Sequence, residues 1–396
     1  MMLELSNPSP AVLGDILSRA SSAGYEDWWA KVTDSGFCAS PVRLERTAPD
    51  SQTEVFVRCK NRRATVCPSC SQLYAGDTWE LVHAGIAGHD ERSPLSDHPM
   101  VFATLTAPSF GAIHSSGPFV GEPLRPDRYD YLGHVLFTWH APALWHRFTV
   151  GLRRLVARRC TRGGADTEAR VSYVKVVELQ RRAIPHFHTV IRLDNSAAVD
   201  ATELGTLVRQ AGSQAALHVQ TPERTMTLRF GEQLDVRALS ELSGRKVAAY
   251  LAKYVTKSVG DFGLSARRLH VGVVDELAVA DHVRRILETI AELAREPEYR
   301  ELGGWLHTLG YRGHVTTKTR HYSTTMGELR ARRDAWRREQ RRPEGQDDGA
   351  SQDPVETEWR YNGCGHTTEG ERFLALSAAG RHREMRQAAR DVASYG

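Results

Sequence analysis

Hydrophobic residues recur along this chain with two different periods, and the switches between them mark out the elements. Leu13, Ile16 and Leu17, then Trp28 and Trp29, are spaced as on a helix and predict helical structure within the first forty residues. VFATLTAP (101–108) alternates instead and stops at a proline, as a buried strand does. Leu144, Phe148, Leu152 and Leu155 return to a helical stripe over 141–159. SYVKVVELQ (172–180) and HFHTVIRL (186–193) are two β-rich runs parted by a short turn, the pattern of a hairpin. A helix is expected over 197–210, a strand near 225–231 and a helix over 243–258, with more helix beyond 265, strongest at 279–296.

The order β-α-β-β-α-β-α predicts an α+β fold, an antiparallel sheet with helices mainly on one face. The breaks in pattern suggest an N-terminal helical, cysteine-rich segment (1–90), a central sheet domain (95–262) and a helical basic region (263–343). A polar, acidic linker (344–358) and a helical C-terminal appendage (359–396) complete the chain. The linker, EGQDDGASQDPVETE, cannot bury a core and is expected to be disordered.

At 396 residues the chain can build one large core or two to three smaller ones, and 41% hydrophobic with 25% charged residues is a soluble, globular balance. No run is long and apolar enough to span a bilayer, and the opening MMLELSNPSPAVLGDILSRA has no cleavable apolar block. A cytoplasmic protein with no membrane partner is expected. The net charge of +4 excludes a uniformly basic binder, but the excess is local. RARRDAWRREQRR (330–342) and the basic cluster at 312–321 suit a protein that grips a phosphate backbone at chosen points. Arg312, Lys318, Arg320, Arg330, Arg332, Arg333, Arg337 and Arg338 are the expected DNA contacts.

Six cysteines in a cytosolic chain do not suggest a disulfide framework. Cys59, Cys67 and Cys70 instead have metal-ligand spacing and lack one ligand for a tetrahedral, structural Zn²⁺ site. Cys38 is the first choice for it, His83 the second. Cys160 and Cys364 are read as incidental.

The chemistry centres on Pro185-His186-Phe187-His188-Thr189. Residues two apart on a strand share a face, so His186 and His188 point together and Phe187 points into the apolar layer behind. Glu178, eight residues before His186, has the same parity and joins them if the hairpin turn has an odd number of residues. Gln180 is the alternative ligand. Two imidazoles and a carboxylate with open positions suit Mg²⁺ or Mn²⁺ acting on a phosphate oxygen. In GRKVAAYLAKYVTKSVG, one helical arc carries Lys246, Tyr250, Lys253, Tyr254 and Lys257, and Ala248, Leu251, Ala252, Val255 and Val259 lie opposite. Lysines beside a phenol favour the phenolate and neutralise charge on a phosphate. Thr104 and Thr106 have the parity to line the same face from the first strand.

His186-Phe187-His188, the strand VFATLTAP and Tyr250-Leu-Ala-Lys-Tyr254-Val-Thr-Lys257 together resemble the three motifs of rolling-circle replication initiators of the HUH endonuclease superfamily. The stretches CPSCSQLYAGD, DRYDYLGHVLFTWHAPALWHRFT and LGYRGHVTTKTRHYSTT resemble actinobacterial integrative-plasmid replication initiators, and the likeness spans most of 37–330. The resemblance implies a ferredoxin- or RRM-like sheet with the histidine pair on a central strand. It implies tyrosine attack on a scissile phosphate of plasmid origin DNA, leaving a 5′-phosphotyrosine and a primer 3′-hydroxyl, with a host helicase and polymerase as partners. In single-tyrosine relatives the position of Tyr250 is often acidic, which makes Tyr254 the first nucleophile and Tyr250 a second. Two alternatives remain. One is a relaxase or transposase using the same site, although relaxases place their tyrosine before the histidines. The other is a non-catalytic, zinc-dependent DNA-binding regulator.

Overall fold

The computed structural model of the chain describes residues 7–48, 51–88, 95–162, 169–195, 198–222, 224–257, 259–265, 267–340 and 358–394. Two compact units are present. One comprises residues up to Ala75 together with those from Arg330 onward, and the other runs from Gly76 to Leu329. In chain order the elements begin with helices α1 (Pro10–Ala20) and α2 (Tyr25–Asp34), strands β1 (Val42–Ala48) and β2 (Ser51–Val57) and helix α3 (Pro68–Ala87). Strand β3 (Met100–Leu105), helix α4 (Tyr131–Arg162), strands β4 (Arg170–Leu179) and β5 (Pro185–Asp194) and helix α5 (Ala201–Gln214) follow. Then come β6 (Ala216–Gln220), β7 (Thr225–Arg229), β8 (Leu234–Ala238), α6 (Gly244–Tyr254), α7 (Asp281–Leu293) and β9 (Thr316–Lys318). Helix α8 (Met326–Gln340), strand β10 (Arg360–Cys364) and helix α9 (Glu369–Ser394) end the list. Among the described residues no helix is long and apolar enough to cross a membrane.

The larger unit is α+β. Its five-stranded sheet has the order β8-β3-β5-β4-β9, and every pairing is antiparallel. β5, in the middle, is buried at almost every position. Phe187, Ile191 and Leu193 face one side with Val101, Ala103 and Val177, and this side is the main core. There Trp145 of α4 stacks on Phe187 with ring centres 5.7 Å apart. Helix α5 adds Leu204, Leu207, Val208 and Ala211. It starts at Ala201 because the Asp200 side chain accepts the Glu203 N–H, 2.8 Å away, and so caps it.

Helices α4 and α5 cover the core face expected to carry most of them, and the other face is covered too. The reason is that Val174, Val176 and Val190 are apolar on the second face too and need cover. α6 packs on β4 from this side. Gly85 of α3 lies so close to the Tyr322 ring that a Cβ there would collide with it. Arg192, buried on β5, donates to the carbonyls of Gly85, His321 and Tyr322 and pairs with Asp194.

The strand expected near 225–231 forms β7, but it pairs with β6 in a separate ribbon. The sheet edges are β8 and the three-residue β9, which comes from beyond the 95–262 stretch. Helix α6 ends at Tyr254, short of 258.

In the smaller unit, β10, β1 and β2 form an antiparallel sheet. Trp28 and Val32 of α2 pack with Phe56 of β2 and Ala375 of α9, and Arg19 of α1 pairs with Glu371 of α9. The described part of the expected appendage 359–396 therefore belongs to the same core as the N-terminal helices. Except for Glu358, the linker expected at 344–358 lies outside the described residues, as do the last two residues of the basic run 330–342.

Candidate active site and metal centre

Leu179 pairs with Pro185 across the β4–β5 hairpin, so the connecting turn is the five residues 180–184 and Glu178 stands directly opposite His186. The odd count puts Glu178, His186 and His188 on one face. Ala183 holds the turn in the left-handed region, φ +64°, a conformation that costs a non-glycine residue about 1–2 kcal/mol. Neighbouring groups hold it there. The Gln180 N–H donates to Ile184 O at 2.9 Å and the Ala183 N–H to Gln180 O at 2.8 Å. Buried His134 lies between the Ala183 carbonyl (3.3 Å) and the Tyr129 hydroxyl (2.9 Å). His282 is held by the Arg182 carbonyl (3.1 Å) and the Tyr131 hydroxyl (3.3 Å). Arg182 donates to the Ala107 and Pro108 carbonyls and to the Gln180 side chain, which occupies the alternative ligand. The contacts from His134 and His282, and those of Arg182 to Ala107 and Pro108, are not visible as a motif, because they join positions remote in sequence.

The imidazoles of His186 and His188 have ring centres 4.6 Å apart. His188 is bonded at both nitrogens, Nδ1 to Thr104 Oγ1 at 3.2 Å and Nε2 to Glu178 Oε2 at 3.3 Å. Burial, reinforced by His188, holds the pKa of His186 down at about 4, so its ring is neutral near pH 7. Its Nδ1 is buried without a hydrogen-bond partner. His186, His188 and Glu178 share this face, but among the described residues they are not a group whose ligand atoms all lie within 4.8 Å of one another. Burial alone would raise Glu178, but hydrogen bonds from His188 and Lys257 outweigh it and hold the carboxyl below its ordinary range.

Helix α6 begins where the Ser243 hydroxyl accepts the Lys246 N–H, and it buries Val247, Ala248, Leu251 and Ala252. That leaves Tyr250 and Tyr254 toward the histidines. The Tyr254 ring stacks on His188 (5.2 Å, 28°), and Tyr250 meets the same imidazole edge-on (5.2 Å, 85°). The two phenol rings are 4.7 Å apart. Phe102, not singled out in the sequence, lies parallel to His188 at 6.1 Å and edge-on to Tyr250 at 5.9 Å. Burial and the hydrogen bond with Tyr254 push the Tyr250 phenol well above the ordinary range. Lys257 sits beyond the helix end, with Nζ 2.6 Å from Glu178 Oε1 and 4.5 Å from the Tyr254 ring centre. Lys246 and Lys253 are exposed. The Thr106 hydroxyl is engaged elsewhere, with Gln233 O.

The four sulfurs of Cys38, Cys59, Cys67 and Cys70 converge, with Cys38 Sγ 3.7 Å from Cys67 Sγ and 3.6 Å from Cys70 Sγ. A tetrahedron with Zn–S bonds of about 2.3 Å has edges of about 3.8 Å. Among the described residues this is the only group of three or more such donors whose atoms all lie within 4.8 Å of one another, so the cluster could bind a metal. Backbone N–H groups of Ala39, Cys59 and Cys70 point at the Cys67, Cys38 and Cys67 sulfurs, as around a thiolate set. Hydrogen bonds from the other sulfurs push the Cys67 thiol far below its ordinary range. His83, the alternative fourth ligand, stacks on Trp79 at 4.5 Å instead.

The expected DNA contacts are in unequal settings. Lys318 Nζ donates to the carbonyls of Thr319, Arg320 and Ser323, so its ammonium braces that turn. The Arg312 guanidinium lies 4.1 Å from the Trp139 ring centre. Arg320, Arg332 and Arg338 are exposed, while Arg330, Arg333 and Arg337 are half-buried along α8.

The chain matches a family model described as "Replication initiator protein, pSAM2" over residues 24–118 and 114–380. It is 38% identical to a "Replication initiator protein" of Streptomyces ambofaciens, over 97% of this chain and 96% of that relative. No solved structure matches it.

Proposed function

This chain belongs to the pSAM2 replication initiator protein family, and from that premise we propose that it opens rolling-circle replication by nicking and rejoining one DNA strand through a tyrosine of α6. The observation that carries this reading is the packing of Tyr254, stacked, and Tyr250, edge-on, against His188, beside Glu178 and His186. The reading makes the larger unit an HUH endonuclease with the ferredoxin-like sheet of that superfamily.

In the proposed step the Tyr254 phenol oxygen bonds to the scissile phosphorus and the bond from phosphorus to the 3′ oxygen breaks. The phenol gives up its proton and the departing 3′ oxygen gains one. The products are a 5′-phosphotyrosine and a 3′-hydroxyl. Because the ester keeps the bond energy, attack by a 3′-hydroxyl reverses the step and rejoins a strand with no nucleotide cofactor. A host polymerase, behind a host helicase, would extend the free 3′-hydroxyl.

Mg²⁺ or Mn²⁺, held by His186, His188 and Glu178, would supply positive charge to a phosphate oxygen. Neutral His186 and anionic Glu178 are in the protonation states that ligation needs. Lys257, over the Tyr254 ring, places a positive charge beside the attacking oxygen's phosphate, and it also holds the Glu178 carboxylate in position. Tyr250, whose phenol is pushed well above its ordinary range, is assigned the second transfer. The four-cysteine cluster is proposed to hold structural Zn²⁺, and the exposed arginines of α8 to contact origin DNA.

The test is cleavage of origin-derived single-stranded oligonucleotides with Mn²⁺, resolving the covalent adduct on a denaturing gel. Tyr254→Phe should cut the adduct strongly and the Tyr250→Phe/Tyr254→Phe double variant should abolish it. Undiminished adduct in the double variant would exclude this site.

A further inference from the structure

The three-stranded sheet of the smaller unit has one face that α2 does not use. β1 alternates, so Arg43 and Glu45 face the same way as Phe56 and Glu54 of β2. That side meets α2, where Lys31 pairs with Glu54 and lies over Phe56. The other side carries Leu44, Val55 and Val57, and the last of these is 36% exposed. β10 adds Tyr361, the register partner of Leu44, which is 67% exposed. Trp359, two residues earlier, is 39% exposed and has the Arg46 guanidinium 5.6 Å from its ring centre. The Arg46 Nε is buried with no hydrogen-bond partner.

Two open aromatic rings, Tyr361 on an edge strand and Trp359 just before it, an arginine stacked on one of them and apolar side chains nearby are what unpaired bases bind. Charge agrees with that occupant. Glu45 and Glu54 are both on the α2 side, and Arg46 is the ionisable cation on the open side.

We propose that Trp359 and Tyr361, with Arg46, form a stacking platform for single-stranded DNA, separate from the residues assigned to strand cleavage. The choice of DNA as ligand rests on the replication-initiator reading given above, whereas the stacking geometry does not depend on the cleavage chemistry. The platform binds bases by their faces, so it is indifferent to sequence. It does not bind duplex, whose bases are already stacked on one another.

The test uses the full-length chain and a fluorescein-labelled oligothymidylate, read by anisotropy, with a duplex of equal length as comparison. Trp359→Ala and Tyr361→Ala should each weaken single-strand binding about ten-fold, while Trp359→Phe, which keeps an aromatic face, should weaken it far less. Duplex affinity and zinc content should not change. Covalent adduct formation, measured on the same samples at saturating origin oligonucleotide, should persist. Unchanged single-strand affinity in the Trp359→Ala/Tyr361→Ala variant, with zinc content intact, would overturn the platform and leave the nicking reading standing. Equal losses on single strand and duplex would also overturn it, since ring stacking discriminates between them. So would a variant that changes only the oligomeric state, because the face would then join copies of the chain. Loss of affinity in a protein that never forms an adduct would support the platform and refute the cleavage chemistry instead.

Discussion

Lowering the pH should loosen the hairpin that carries Glu178, His186 and His188, and buried His134 sets much of the effect. His134 is fully buried between the Tyr129 hydroxyl and the Ala183 carbonyl, and burial brings its pKa from 6.5 down to about 3. Above pH 6.5 the ring is neutral in both folded and unfolded chains, so it adds no pH dependence. Below 6.5 the unfolded chain takes up a proton that the folded chain refuses until about pH 3, and stability is lost across that window. Over the 2.5 units from pH 6.5 to pH 4, at 1.36 kcal/mol per unit, the loss is about 3 kcal/mol. His186, held at about 4, acts in the same direction. The assay is urea unfolding across this range, followed by amide hydrogen exchange of β5 peptides in wild type and His134→Gln. The glutamine can still hydrogen-bond but does not titrate, so the variant should lose about 3 kcal/mol less than wild type between pH 6.5 and pH 4. Parallel pH profiles would show that His134 does not remain neutral in the fold, and the argument would fail.

Three other outcomes follow from the contacts. Arg192→Met should cost about 1–3 kcal/mol in urea unfolding, because it leaves three carbonyls without their donor, while Asp194 keeps Ser172 and Arg170. Chelation of Zn²⁺, or Cys67→Ser, should unfold the smaller unit, seen as loss of exchange protection in β1, β2 and β10, with one zinc per chain released to a chromogenic chelator; protection that survives full chelation would refute the metal's structural role. Lys257→Met should lower adduct yield several-fold yet shift stability by less than about 1 kcal/mol, since the lysine is 41% exposed and its ion pair is solvent-screened.

The histidine face was legible in the sequence because strand parity is a strict rule. Once the turn has five residues, Glu178, His186 and His188 must share a side. The two tyrosines were legible for the same kind of reason, four residues apart on an amphipathic helix. The sheet edges were not. β9 is three residues long, and its neighbours rather than its own propensity hold it in place. β8 (LDVRA) lies close to β7 in sequence, and only packing decides which of the two joins β3. The union of residues 358–394 with the N-terminal helices was hidden as well, since Arg19–Glu371 and Trp28–Ala375 join positions more than three hundred residues apart. The setting of Lys318 was hidden for a local reason: a basic cluster in sequence does not show that this ammonium donates to the carbonyls of its own turn.

The nucleophile itself can be located directly, because trypsin cuts after Lys246, Lys253 and Lys257 and so puts the two phenols on different peptides, 247–253 with Tyr250 and 254–257 with Tyr254. Wild-type protein is trapped on an origin oligonucleotide, digested with nuclease and trypsin, and examined by mass spectrometry. The account predicts a nucleotide mass on 254–257 after a single cleavage. A modification on a tyrosine outside α6, or cleaved DNA with no modified peptide, would contradict it.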